Sequence, residues 1–192
     1  TGRLAGGEIE RVRIAGRGVV PDDAAGVVAN LTVVGPDGPG FATLYPCTAA
    51  PPEASHVNYF AHDVLANNAI VPLDDAGDVC IYSSAGADYV LDVNGYVPAG
   101  SPVTGIEPAR YLDTRDLPTF DGAGRGQGRS AAGATVRVRV AGRSAVPAGA
   151  SAAIVNLTAI FSDGPGYATL YPCDEVPEAS TLNYFANTVT PN

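Results

Sequence analysis

Polar and apolar residues alternate with a period of two over residues 8–15 (EIERVRIA), the pattern of a strand with one face in a core. Residues 26–34 (GVVANLTVV) are β-branched and apolar on both faces and predict a central strand. Further strands are predicted over 41–45, 55–60 (SHVNYF), 68–73 (NAIVPL), 78–83 (DVCIYS) and 87–97. The last places Tyr89, Leu91 and Val93 on one face. Turn signals separate them: GRGVVPDD at 16–23, GPDGPG at 35–40, Pro51-Pro52-Glu53, and Asp74-Asp75-Ala76-Gly77, which reads as a hairpin turn. No segment carries the pattern of an amphipathic helix. Seven short strands in about 100 residues is the pattern of a β-sandwich.

One stretch of this pattern returns. DGPGFATLYPC at 37–47 recurs as DGPGYATLYPC at 163–173, with Phe41 replaced by Tyr167, so the chain is built from repeats. Around it, 135–141 matches 9–15, 152–161 matches 26–35 and 180–185 matches 55–60. The loop after Cys173 is one residue shorter than the loop after Cys47. Residues 98–105 (PAGSPVTG) have linker composition. PARYLDTR at 108–115 predicts a short strand with charges at its end, and Gly-rich 121–133 predicts a mobile loop. The expected fold is all-β: tandem antiparallel β-sandwich modules, Ig-like or jelly-roll-like. Residues 1–97 form a module lacking its opening strand, 98–106 a linker, and 107–192 a second copy lacking its closing strands.

Composition supports a globular, turn-rich chain: 192 residues, 46% hydrophobic, 23 Gly, 16 Pro and only 16% charged. No apolar run approaches the roughly 20 residues of a bilayer helix, which argues against membrane insertion. The first residues do not resemble a signal peptide, and without Met the chain reads as a segment of something longer. All basic residues are Arg, and the net charge of −9 leaves no basic stripe, which argues against nucleic acid as a partner. The lack of Lys excludes Schiff-base and P-loop chemistry, and Lys–Asn crosslinks as staples. Cysteine is the remaining staple. A Cys47–Cys80 disulfide would close a loop of about 34 residues, leaving Cys173, the twin of Cys47, unpaired or intermolecular. Either the chain belongs to a longer tandem array, or its unpaired strands and Cys173 are completed by another chain.

The motifs PARYLDTR, NLT, GFATLYPC, SHVNYF, VCIYSSAG and LDVNGY together resemble a repeat of secreted multidomain proteins of actinobacteria. The resemblance spans nearly the whole chain as one and a half units. It implies β-sandwich architecture and a secreted or cell-surface location, and it transfers no catalytic residue.

Candidate chemistry is sparse. His56 and His62 are the only side chains suited to neutral-pH base catalysis, and both read as surface residues. No nucleophile elbow and no repeated acidic pair beside a histidine is present, so no enzyme and no cofactor are expected. Asp74, Asp75 and Asp78 could hold Ca²⁺, although a hairpin turn explains the same residues. Asp37 and Asp163 read as turn residues. Asp113 and Arg115, on one strand face, suggest a hydrogen-bonded cluster at a module interface. Tyr45 and Tyr59, with Phe41, Phe60 and the second-copy Tyr171 and Tyr184, offer either a sugar-stacking platform or core filling. The Asn30 and Asn156 sequons lie inside apolar strands, where modification is not expected. The expected role is a non-catalytic extracellular structural repeat, packing head to tail with its own kind into a stalk, adhesin or filament. The alternative is a carbohydrate-binding accessory module of a secreted hydrolase, with cell-wall glycan as partner.

Overall fold

The computed structural model describes residues 2–47 and 50–192. Its strands are β1 (Ile9–Arg13), β2 (Gly26–Val34), β3 (Gly40–Pro46), β4 (Val57–Tyr59), β5 (Val64–Pro72), β6 (Asp78–Ser83), β7 (Asp88–Val97), β8 (Thr158–Ile160), β9 (Gly166–Ala168), β10 (Leu182–Tyr184) and β11 (Val189–Pro191). The fold is all-β and antiparallel, with no helix among the described residues. Two compact units are present: Thr1–Pro51, Ser55–Gly105 and Val155–Asn192 form one, and Pro52–Ala54 with Ile106–Ile154 the other.

In the first unit, β2 lies between β5 and β7, and a four-stranded sheet runs β1-β6-β3-β4. Alternation along β2 buries Val27, Ala29, Leu31 and Val33 to 1% exposure or less. They join Ala42 and Leu44 of β3, Val57 and Tyr59 of β4, and Val79 and Ile81 of β6 in one cluster. Burying each Val or Leu stabilises by about 1.5–3 kcal/mol, so this shared core holds both sheets. The two-faced burial expected of β2 is not observed. Val28, Asn30, Thr32 and Val34 are only half-buried, and Asn30 Nδ2 donates to Thr32 Oγ1 at 3.3 Å. Between Val28 and Ala29 the β2–β7 register slips past Asn94, a bulge that bends β7. Tyr89 and Leu91 pack against the core, whereas Val93, expected on the same face, is 38% exposed. Strand β5 begins four residues earlier than the apolar pattern predicts. Backbone pairing with β2 carries it through the polar Asn67 and Asn68.

The hairpin between β5 and β6 forms where predicted. Asp74 Oδ1 accepts from the amides of Ala76 and Asp78, both at 2.9 Å. Gly77 adopts φ +82°, and a Cβ there would collide with Ala15.

The sequence repeat is a repeat of register. Gly40↔Tyr59, Phe41↔Asn58 and Ala42↔Val57 in β3–β4 return as Gly166↔Tyr184, Tyr167↔Asn183 and Ala168↔Leu182 in β9–β10. Thr32↔Ala66 through Val34↔Val64 return as Thr158↔Pro191 through Ile160↔Val189. The one-residue deletion after Cys173 is absorbed in the loop.

Three expected strands do not form: 108–115, 135–141, and the first part of 152–161. In the first copy, β1 is hydrogen-bonded to β6, and β2 is flanked by β5 and β7. No second segment of the β6 or β7 kind occurs in these 192 residues. A strand without a ladder partner is not stable in water.

The second unit contains no named strand and is held by turns and side chains. Asp113 makes an isolated bridge with Arg125, and its amide donates to Gly124 O at 2.9 Å. Thr119 Oγ1 donates to Ala123 O at 2.7 Å.

Candidate functional site

Most candidate site residues of the first copy are tied into its fold by covalent, hydrogen-bond or ionic contacts. Cys47 and Cys80 form a disulfide, with Cα atoms 5.0 Å apart. Cys80 stands opposite Tyr45 in the β3–β6 ladder, so the bond ties the end of β3 across to β6. This disulfide implies an oxidising environment. No helix among the described residues is long and apolar enough to cross a membrane.

Asp74 and Asp78, two of the three carboxylates weighed with Asp75 as calcium ligands against a plain hairpin turn, face arginines. Arg11 Nη1 lies 3.1 Å from Asp74 Oδ2 and 2.8 Å from Asp78 Oδ2, and Arg13 Nη1 lies 3.7 Å from Asp78 Oδ1. The positive groups a cation would replace are thus already in place. No cluster of three or more metal-ligating side chains occurs among the described residues. The arginine clamp was hidden in the sequence because Arg11 and Asp78 are 67 residues apart. The signal was the repeated R-V-R spacing, Arg11/Arg13 and Arg137/Arg139. A second clamp was also missed: Arg3 donates to Asp37 (2.7 Å), Asp88 (2.9 Å) and Gly35 O (2.6 Å), closing the GPDG turn.

His56 is half-buried, and its ring is engaged by the backbone of β3. Its Nδ1 accepts a hydrogen bond from Leu44 N at 3.1 Å, and its carbonyl accepts from Asn67 Nδ2 at 2.6 Å. Burial holds its pKa down at about 4, so the ring is neutral and acts as an acceptor. The second copy supplies the same acceptor with another residue: Thr181 Oγ1 accepts from Leu170 N at 2.9 Å. A role that Thr performs equally well is structural. His62, in a loop at φ +66°, makes no side-chain hydrogen bond among the described residues.

Tyr45 and Tyr59 are 1% and 3% exposed and offer no ring face to a sugar. Tyr59 Oη donates to Phe41 O at 3.1 Å and lies 3.2 Å from Tyr89 Oη, which in turn lies 2.8 Å from Ser83 Oγ. Burial pushes the Tyr89 hydroxyl well above the ordinary tyrosine value. Their second-copy relatives Tyr171 and Tyr184 are half-buried.

In the second unit, Asp113 and Arg115 meet as expected, but on a turn instead of a strand face. Asp113 Oδ1 accepts from Arg115 N (3.0 Å) and Nε (2.9 Å), and Oδ2 accepts from Arg115 Nη2 (2.7 Å) and Arg110 Nη1 (3.3 Å). These bonds hold the Asp113 carboxyl below the usual range. Nearby, Arg143 lies 4.9 Å and 5.1 Å from the Tyr111 and Phe120 ring centroids and donates twice to Asp121. A cavity of about 290 Å³ beside it is lined by Tyr111, Gln127, Arg137, Arg139 and Arg143. Arg137 and Arg139, the twins of Arg11 and Arg13, have no acidic partner among the described residues.

The remaining site is an edge. Strand β3 is flanked on both sides, by β4 and β6, while β9 has β10 alone. Leu44 is fully buried and its twin Leu170 is 44% exposed; Pro46 is buried and Pro172 exposed. Cys173, twin of Cys47, is a free, half-exposed thiol. No family model, curated protein or solved structure matches the chain.

Proposed function

We propose that this chain is a non-catalytic extracellular structural repeat, whose tandem β-sandwich modules pack head to tail into a stalk, adhesin or filament. The observation that carries this reading is the duplicated register: the β3–β4 pairs and the last three β2–β5 pairs of the first copy recur in the second. Two antiparallel sheets feeding one buried cluster support the sandwich. The disulfide supports a secreted location, as does the resemblance of the motifs to repeats of secreted actinobacterial proteins. In such an array each module contacts its neighbours, and stability grows from module and interface contributions. Electron microscopy of the native material tests the reading. Rods or fibres with a regular axial spacing are expected, and isolated compact particles at all concentrations would refute it.

A further inference from the structure

We infer that the outer face of the β1-β6-β3-β4 sheet carries a binding site for a neutral sugar ring, formed by Phe41, Tyr82 and Asn58. The site is separate from the array reading above, and its test does not depend on filaments.

The ladder sets the three side chains on one face. Ala42, Leu44, Val57, Val79 and Ile81 belong to the core, so their strand neighbours Phe41, Asn58 and Tyr82 take the opposite face. Phe41 stands opposite Asn58. Phe41 O accepts from Ser84 N at 3.0 Å and Phe41 N donates to Ser84 Oγ at 2.7 Å, so the Phe41 backbone is turned towards the β6 side. Phe41↔Asn58 is therefore a non-hydrogen-bonded pair, the kind in which side chains stand closest. On the other flank the Tyr82 ring lies 5.7 Å from the Phe41 ring, tilted at 51°. The two half-buried rings form a corner, and Ile9, opposite Tyr82 and 46% exposed, forms its rim.

Two polar groups flank that corner. Asn58 Nδ2 donates to Ser55 Oγ at 3.1 Å, which fixes the amide, while Asn58 Oδ1 has no partner among the described residues. The Tyr82 hydroxyl has none either, and neither oxygen is a buried unpartnered atom, so both reach solvent. Ring faces hold the C–H face of a sugar by burial and dispersion, and a fixed acceptor with a hydroxyl beside it takes the sugar hydroxyls. Size and charge choose this occupant. Two rings and Ile9 fall far short of the roughly 800 Å² per partner of a stable protein interface. A net charge of −9 disfavours an anionic ligand, and Arg11, two residues from Ile9, is already held by Asp74 and Asp78.

The second copy repeats the pair. The single difference between the two eleven-residue segments keeps a ring, Tyr167 for Phe41. Tyr167 again stands opposite an asparagine, Asn183, whose Nδ2 donates to Ser180 Oγ at 3.1 Å. Core packing does not call for a ring and a fixed amide on the outer face, so their recurrence points to a shared task.

Residue-specific NMR of the intact chain, titrated with cellohexaose, mannohexaose and the N-acetylglucosamine hexamer, tests the site. Saturable shifts of the Phe41 and Tyr82 ring signals and of the Asn58 amide are expected with at least one of them, at a Kd of about 1 mM. Phe41→Tyr, the residue the second copy uses, should keep this affinity. Phe41→Ala should weaken it about tenfold, the equivalent of about 1.4 kcal/mol, and Tyr82→Phe about threefold. Should Phe41→Ala fail to fold, Tyr82→Phe decides, because it keeps the ring and removes only the hydroxyl. No shift at these signals with any probe at about 10 mM, tenfold above that Kd, would overturn the inference. So would binding that the Phe41→Ala and Tyr82→Phe variants leave unchanged. Sugar binding by isolated particles would uphold the site and remove the structural role; filaments that bind none of the probes would do the reverse.

Discussion

Acidification isolates the contribution of one side chain, His56. Its ring must be neutral to accept from Leu44 N, and burial, with no charged neighbour contributing, lowers its pKa from 6.5 to about 4. The sign follows from linkage. The folded state binds the proton more weakly than the unfolded state, so the stabilisation is complete above pH 6.5 and is lost as pH falls towards 4. Between pH 7.5 and pH 4.5 the loss from this group alone is about 2.5 kcal/mol, an upper figure because the residue is only half-buried. Carboxylates titrate at the lower end of the same window, so the measurement must be a difference. Thr181 supplies the control: His56→Thr keeps a side-chain acceptor for Leu44 N and removes the titration. Urea unfolding of both proteins at the two pH values is the assay. The wild type should lose about 2 kcal/mol more than the variant on acidification. Equal losses would refute the reasoning, and a His56 proton signal titrating near 6.5 by NMR would show that the ring does not accept from Leu44.

Removing the disulfide by Cys47→Ser should cost about 4 kcal/mol for its 33-residue separation and lower the melting temperature of the first unit. An unchanged melting curve would mean that Cys47–Cys80 holds nothing. Gly40→Ala would place a Cβ 2.5 Å from Ser84 Oγ and 2.9 Å from Tyr59 Cε2, so a loss of about 1–3 kcal/mol is expected in denaturant titration. Neutral behaviour would show that the Tyr59 ring yields freely. Asp113→Ala strips Arg115 and Arg110 of their shared carboxylate and should destabilise the turn by about 2 kcal/mol. The Gly126 amide, which donates to Asp113 O and Arg115 O, should then exchange with deuterium faster; unaltered protection would count against the clamp. Because its folded pKa is depressed, Asp113 contributes this stability above about pH 4 and loses it on further acidification.

What could be read from sequence was local. The DDAG hairpin declares itself because Asp74 and Gly77 satisfy the turn from within it. The staple was visible as Cys47 at the end of one predicted strand and Cys80 within a later one. What could not be read depends on distant partners. Residues 9–15 and 135–141 share the R-V-R pattern, yet only the first becomes a strand, because only there does β6 supply hydrogen bonds from Tyr82 to Asp78. His56 looked like a surface residue because nothing beside it announces that Leu44 N, twelve residues away, needs an acceptor. Its replacement by Thr181 in the second copy was the available signal: two unlike residues at one register position share only the ability to accept a hydrogen bond.

The two TLYPC segments carry that argument one step further. Identical residues are core in one copy and surface in the other, so their burial is not a property of the segment. Apolar alternation states that a strand has a face to cover; the neighbouring ladder decides whether it is covered. In the first copy that neighbour is β6, which brings three things at once: backbone pairs to β3, the thiol for Cys47, and a carboxylate for Arg11 and Arg13.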